Sequence, residues 1–200
     1  MVANRGYQST GTKTRLRLID AAAELLAEEG SPAITARRVA GHADLKPQLV
    51  HYYFRSMEEL VVTVFQRSSA IYFRLHDEAL SSPRPLQALW ALNSAVPEAK
   101  RILEFGALSK QYPLLREEMR KAGASFRALQ IEAIEKVYAQ RGITAPDISA
   151  PVLATLMSAA ARSLVIESQV GLDKAHAETR DSIVRYLAQI EGGEVHTLDV

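Results

Sequence analysis

Thr35-Ala36-Arg37-Arg38-Val39-Ala40-Gly41-His42-Ala43-Asp44-Leu45-Lys46-Pro47-Gln48-Leu49-Val50-His51-Tyr52-Tyr53-Phe54 is the stretch that decides the fold. It divides into two short helices around a Gly41-His42-Ala43-Asp44 turn, a helix-turn-helix candidate. The Thr35 hydroxyl can cap the free amides of Arg37 and Arg38 at the start of the first helix. Pro47 stands at a natural first-turn position of the second, which runs through Phe54. Val39, Ala40, Leu45 and Val50 fall where two crossing helices need small or apolar side chains. Asp44 must accept a positive φ, which aspartate does less easily than glycine. The outer face of the second helix presents Lys46, Gln48, His51, Tyr52 and Arg55, donor-rich groups suited to phosphate oxygens and base edges.

Outward from this stretch the apolar period is 3.6 throughout, and nothing alternates persistently at period 2. The expected fold is all-α, with about nine helices. The first spans roughly Thr12 to Glu29, with Leu16, Ile19, Ala22, Ala23 and Leu26 as its inward stripe and Gly30 as its stop. Ser56-Met57-Glu58-Glu59 is a capping box opening a long helix toward Leu80, which carries Leu60, Val61, Val64, Phe65, Ile71, Tyr72 and Leu75. Ser81-Ser82-Pro83-Arg84-Pro85 then breaks the chain. Further helices are expected near 86–95, 98–110 and 113–140, the last ending at Gly142. Asp147 or Ser149 caps the next, which runs to Val170, and a final helix covers roughly Lys174 to Ile190 before Gly192-Gly193.

Composition narrows the chemistry. The 200 residues contain no cysteine, which excludes disulfides, thiol nucleophiles and thiolate metal sites. Hydrophobic residues at 48% and charged residues at 24% are ordinary globular usage. Apolar stretches are broken by charge short of the roughly 20 residues of a membrane span, and residues 1–12 hold no signal-peptide core. No membrane association and a cytoplasmic location are therefore expected. Net charge is +1, but Arg5, Lys13, Arg15 and Arg17 face no acid within the first seventeen residues. A basic end on a neutral body is a weak pointer to a polyanion. His76, His176 and His196 are too scattered for a metal cluster, so no metal or cofactor is expected. No nucleophile–base pair or phosphate loop supports an enzyme.

The chain resembles the tetracycline-repressor (TetR) family of bacterial transcription regulators. Leu18-Ile19-Asp20-Ala21-Ala22, Leu25-Leu26, Gly30, Ile34-Thr35 and Arg38-Val39-Ala40 carry the likeness. So do Ala43-Asp44-Leu45, Leu49-Val50-His51-Tyr52-Tyr53-Phe54 and Ser56-Met57-Glu58-Glu59-Leu60, a dense match over about residues 12–62. Three residues depart from the family pattern: Asp44 for a turn glycine, His51 for a tyrosine, Met57 for a lysine. The resemblance implies a DNA-binding domain over 1–60, with a basic arm at 1–12, and a ligand-binding and dimerisation domain over 61–200. It places Thr35 on the DNA backbone, Lys46, Pro47 and Gln48 in the major groove, and His51, Tyr52 and Tyr53 at phosphates, with Arg37, Arg38 and Arg55 as further donors.

The partners so implied are a double-stranded DNA operator, a small-molecule inducer and a second copy of the chain as a homodimer. Ligand-binding candidates in the body are Trp90, Phe105, Tyr112, Met119, Phe126, Tyr138, Met157 and Arg162. Arg162, a charge amid an apolar helix, needs an acidic ligand or a carboxylate such as Glu104. Dimer candidates are Val152, Leu156, Ala159, Ala160 and Ser163, with Ile183, Tyr186, Leu187 and Ile190 on the last helix; intramolecular core is the alternative for these. The functional reading is a ligand-responsive regulator, a repressor released by its inducer. The alternative is a helical small-molecule-binding or interaction module with weak or lost DNA binding, which Asp44 and Met57 favour.

Overall fold

The computed structural model describes the backbone of residues 3–192, and the side chains of 11–192 except Glu98. The Arg5 side chain of the basic arm, Gly193 and His196 lie outside the described residues. Among the described residues there are nine α-helices, one short 3-10 turn and no strand, so the all-α expectation holds. The helices are α1 (Ala3–Glu28), α2 (Ala36–His42), α3 (Gln48–Tyr53), α4 (Met57–Leu80) and α5 (Pro85–Ser94). They continue as α6 (Val96–Ser109), α7 (Pro113–Gln140), α8 (Ala150–Gln169) and α9 (His176–Ile190).

Two compact units emerge, each built from two pieces of chain. The first joins residues 1–70 with 101–120, and the second joins 71–100 with 121–200. Both α4 and α7 contribute residues to each.

In the first unit, α1 begins at Ala3, well before the expected Thr12. Its buried face is Leu18, Ile19, Ala21, Ala22, Leu25 and Leu26. Leu16 is 44% exposed, contrary to its expected place on the inner stripe. Two residues rotate a helix by about 200°, which sets Leu16 opposite Leu18. Leu60, Val61, Val64 and Phe65 of α4 are buried, and the Phe65 ring meets Phe105 of α6 edge-on at 5.1 Å. The N-terminus of α7 is closed by Glu58, whose carboxylate accepts the Leu114 N–H at 2.7 Å.

In the second unit, α5 packs against α8 and α9. Leu86, Leu89 and Trp90 of α5 share a core with Ile134, Val137 and Tyr138 of α7, Leu153, Ala154, Met157, Ala161 and Leu164 of α8, and Leu187 and Ile190 of α9. Glu191 seals one end. Its carboxylate accepts the Leu86 N–H at 2.6 Å and the Gln87 amide at 2.9 Å, while its backbone carbonyl accepts from Arg141. Ile71 and Leu75, expected on the apolar side of α4, are exposed, and His76, directly after Leu75, is fully enclosed.

Helix α8 is, by length and composition, apolar enough to cross a membrane, although the apolar stretches were expected to fall short of a span. Seven of its residues are buried, Leu153, Ala154, Met157, Ala161 and Leu164 among them in the shared core, so it is a core helix of the second unit.

Candidate nucleic-acid interface

The helix-turn-helix is assembled from local hydrogen bonds that its sequence dictates. Thr35, in extended conformation, accepts the Arg38 N–H on its hydroxyl at 3.3 Å and so starts α2. Val39 and Ala40 are completely buried. Past Ala43 the chain turns through Asp44 at φ 53°, the left-handed region the turn requires. The Asp44 N–H bonds the Gly41 carbonyl at 3.1 Å, and the Leu45 N–H reaches back to Ala40 at 2.8 Å. That pair of bonds is a Schellman motif, which satisfies the last free carbonyls of α2 and reverses the chain tightly. Helical conformation resumes at Pro47, which caps α3 without a side-chain bond.

Because α3 follows a fixed turn, its two faces separate cleanly. Val50 and the following Phe54 are buried, and the Arg15 guanidinium lies 4.8 Å above the Phe54 ring. Lys46, Pro47, Gln48, His51, Tyr52 and Arg55 are exposed. Tyr52 is 69% exposed and stands edge-on to Tyr53 at 4.9 Å. Tyr53 is half-buried, with its ring close to Gly11 of α1. Helix α4 opens with the anticipated capping residues. Ser56 Oγ accepts the Glu59 N–H at 3.1 Å, while the Glu59 carboxylate takes the Arg55 N–H at 2.8 Å, one residue earlier than a standard box.

The surrounding charges are partly committed to structure. Arg38 donates to both oxygens of Glu29, at 2.5 and 2.6 Å, and His42 pairs with Glu24 at 2.9 Å. Arg17 donates to the Ala43 carbonyl and so ties α1 to the turn. Arg37, Lys46 and Arg55 lie exposed. Sequence spacing had no signal for the Arg17 bond or for Glu104 of α6. The Glu104 carboxylate accepts the Ser31 N–H at 2.6 Å from 73 residues away, and it crowds Gly30, whose φ is 81°. Pairs so far apart in the chain leave no periodic trace.

The body candidates fall into both units. Phe105, Tyr112 and Met119 belong to the first, where burial and the nearby Glu58 raise the Tyr112 phenol above its ordinary pKa. Trp90, Tyr138 and Met157 are core of the second unit, and the Tyr138 hydroxyl donates to the Ile148 carbonyl at 2.7 Å. Phe126 joins an aromatic group with Tyr72, Phe73 and His76. Arg162 is exposed rather than enclosed, and desolvation and then the Arg162 charge push the Arg127 pKa down.

Of the dimer candidates, Val152, Leu156, Ala159 and Ser163 are exposed on α8 and Ala160 is half-buried. On α9, Ile183 and Tyr186 are half-buried, whereas Leu187 and Ile190 are core. No group of three histidine or acidic side chains that could hold a metal occurs among the described residues.

Known proteins share these features. Residues 18–64 match the family described as bacterial regulatory proteins, tetR family. The HTH-type transcriptional regulator BetI of Rhizobium meliloti (strain 1021) is 31% identical over 68 residues, 34% of this chain and 32% of that protein. An HTH-type transcriptional regulator in the dhlA 5′ region of Xanthobacter autotrophicus is 38% identical over 72 residues, 36% of this chain and 34% of its own length. The match thus spans about a third of these curated relatives. Across nearly the whole chain the fold is that of a Saccharomonospora viridis protein solved in complex with choline (TM-score 0.73, 20% identity, 92% of this chain and 98% of that one). It is also that of a TetR transcription regulator from Haloarcula marismortui ATCC 43049 (TM-score 0.70, 15% identity, 89% and 97%). The matched family consists of regulators, not enzymes. In residues 18–64, which build the helix-turn-helix, the chain is thus similar to the bacterial regulatory proteins of the tetR family.

Proposed function

We propose that this chain is a transcriptional repressor that binds a near-palindromic operator as a homodimer and leaves it when a small molecule enters its body. The observation that carries the reading is the outer face of α3. Lys46, Gln48, His51 and Tyr52 are all exposed there, over a helix held in place by Val50, Phe54 and the Asp44 turn. Lys46, Pro47 and Gln48 lead into the major groove; His51, Tyr52 and Tyr53 reach phosphates, as do Thr35, Arg37, Arg38 and Arg55 from the flanks. Residues 1–60 serve DNA and residues 61–200 serve ligand and dimer, in the cytoplasm.

The second copy is supported by α8. Its outer face carries Val152, Leu156, Ala159, Ser163 and Ile166 at alternating spacings of four and three, the pattern of a helix-packing seam. Val152 and Leu156 are about half exposed, a cost that a two-fold partner helix would remove. Two heads so related read half-sites roughly 34–36 Å apart, or somewhat more. A ligand that favours another head spacing shifts the population away from DNA. The choline complex of a protein with this fold supports a small-molecule ligand.

Selection of bound fragments from genomic DNA, followed by a salt titration of the enriched fragment, tests the proposal. The expected result is a near-palindrome whose affinity falls steeply with salt and is lost on Lys46→Ala with Gln48→Ala. Binding of all fragments alike, or no binding by ligand-free protein at low salt, overturns it.

A further inference from the structure

The second unit contains a cluster whose hydrogen bonds are incomplete. His76 has no exposed surface, and both its ring nitrogens lack a partner. One turn earlier on α4, the Tyr72 ring lies 6.4 Å from the imidazole, and the Tyr72 hydroxyl donates to Asn93 Oδ1 of α5 at 2.7 Å. The Asn93 amide nitrogen is also buried and unpartnered. Phe126 of α7 completes the group at 5.7 Å from His76, edge-on to Tyr72 at 4.9 Å and stacked on Phe73 at 3.9 Å. Tyr72, Phe73 and Phe126 are only half-buried, whereas the imidazole is enclosed. An unpaired buried polar atom opposes folding, and phenylalanine or leucine would fill the place of His76 without that cost.

We infer that His76 and Asn93 are the recognition centre for the ligand of the body, and that this ligand is a small uncharged aromatic molecule bearing a hydroxyl group. The inference rests on the proposed uptake of a small molecule by residues 61–200, and it specifies where and what. Burial lowers the His76 pKa, against a smaller opposing effect of Asp77, so the ring is neutral and offers one donor and one acceptor. Asn93 Nδ2 adds donors. A hydroxyl can accept from one of these donors and donate to a bare imidazole nitrogen. A carboxylate only accepts, and would bring a second negative charge near Asp77. A quaternary ammonium suits the ring faces but satisfies neither donor. The edges and faces of Tyr72, Phe73 and Phe126 suit an aromatic body.

The test uses the full chain with 4-ethylphenol, ethylbenzene, 4-ethylbenzoate and choline as separate probes. Calorimetry reads affinity, and Trp90, the chain's single tryptophan and one turn from Asn93 on α5, reads occupancy by fluorescence. We expect 4-ethylphenol to bind at least tenfold more tightly than the other three. His76→Phe and Asn93→Leu should each lose that preference while ethylbenzene affinity stays within twofold. In the unmodified protein, 4-ethylphenol should shift the imidazole nitrogen resonances of His76, a readout that needs no variant to fold. Equal affinity for 4-ethylphenol and ethylbenzene, no binding of the phenol, preference for choline or the benzoate, or unmoved imidazole resonances would each overturn the assignment. Operator release by another molecule from a His76→Phe protein would sink it and leave the repressor reading intact. Phenol binding through His76 in a chain that selects no DNA would do the reverse.

Discussion

The helix-turn-helix and the body core are held together by hydrogen bonds of opposite reach. Around α2 and α3 the decisive bonds span three to five residues: Thr35 to Arg38, Asp44 to Gly41, Leu45 to Ala40, Ser56 to Glu59. In the second unit the bonds that close the core run from Glu191 to Leu86 and Gln87, more than a hundred residues apart. Short-range closure lets a small element present an outer face of any composition, because its geometry does not depend on that face. The body has no such independence, and its core, caps and polar interior must be specified together.

The largest effect that would sharpen this contrast lies inside the head. Phe54→Ala should destabilise the protein by about 3–5 kcal/mol, since the ring is 1% exposed and packs beneath Arg15. Tyr52→Ala, two residues earlier but exposed, should change stability by no more than about 0.5 kcal/mol. Urea unfolding of both variants measures the difference. Comparable losses would mean that the two faces of α3 are not independent, and the contrast would break.

Next in size is the pair of caps. Glu191→Ala leaves the Leu86 N–H and the Gln87 amide without their acceptor and should cost about 1.5–3 kcal/mol, the range for bonds to a charged group. Ser56→Ala removes one exposed local cap and should cost about 1 kcal/mol. Thermal unfolding of the two side by side is the check. A Ser56 loss equal to the Glu191 loss would show that local closure carries as much as remote closure.

The same contrast explains what could be read from the chain in advance. A Schellman turn demands a left-handed residue at a fixed offset, so Asp44 and Gly142 announce themselves, and Ser56 with Glu59 marks a helix start. Phe54 under α3 and the exposed Tyr52 follow from helical spacing in a segment whose ends are known. Where only periodicity guides, the register slips. Leu16 belongs to the outer face of α1, and Ile71 and Leu75 lie outside while His76 is enclosed. Nothing local distinguishes a histidine that faces solvent from one sealed by Phe126, fifty residues later. Glu104, considered only as a partner for Arg162, is held by the Ser31 amide instead, and Arg162 lies at the surface. These outcomes depend on which helix arrives opposite, which spacing along one helix does not encode.

The finest comparison sets Asp44 against Gly142, because both occupy the left-handed position of the same motif. The α7 end repeats the α2 end bond for bond: the Gly142 N–H meets Ala139 at 3.2 Å and the Ile143 N–H meets Tyr138 at 2.9 Å. No atom lies within 4 Å of where a Gly142 side chain would begin, so Gly142→Ala tests the φ of 65° alone and should cost about 1 kcal/mol. Asp44→Gly relieves a φ of 53° on a residue that tolerates it moderately, and the relief is largely offset by the added freedom of glycine in the unfolded chain. The expected gain is therefore about 0.5 kcal/mol, read as a small rise in the urea midpoint at unchanged slope. A gain as large as the Gly142→Ala loss would mean that the head turn is held under strain by the bonds around it. A loss would mean that the Asp44 side chain itself stabilises the turn. In either case the departure from glycine at this position would be a property of the turn, measurable without DNA.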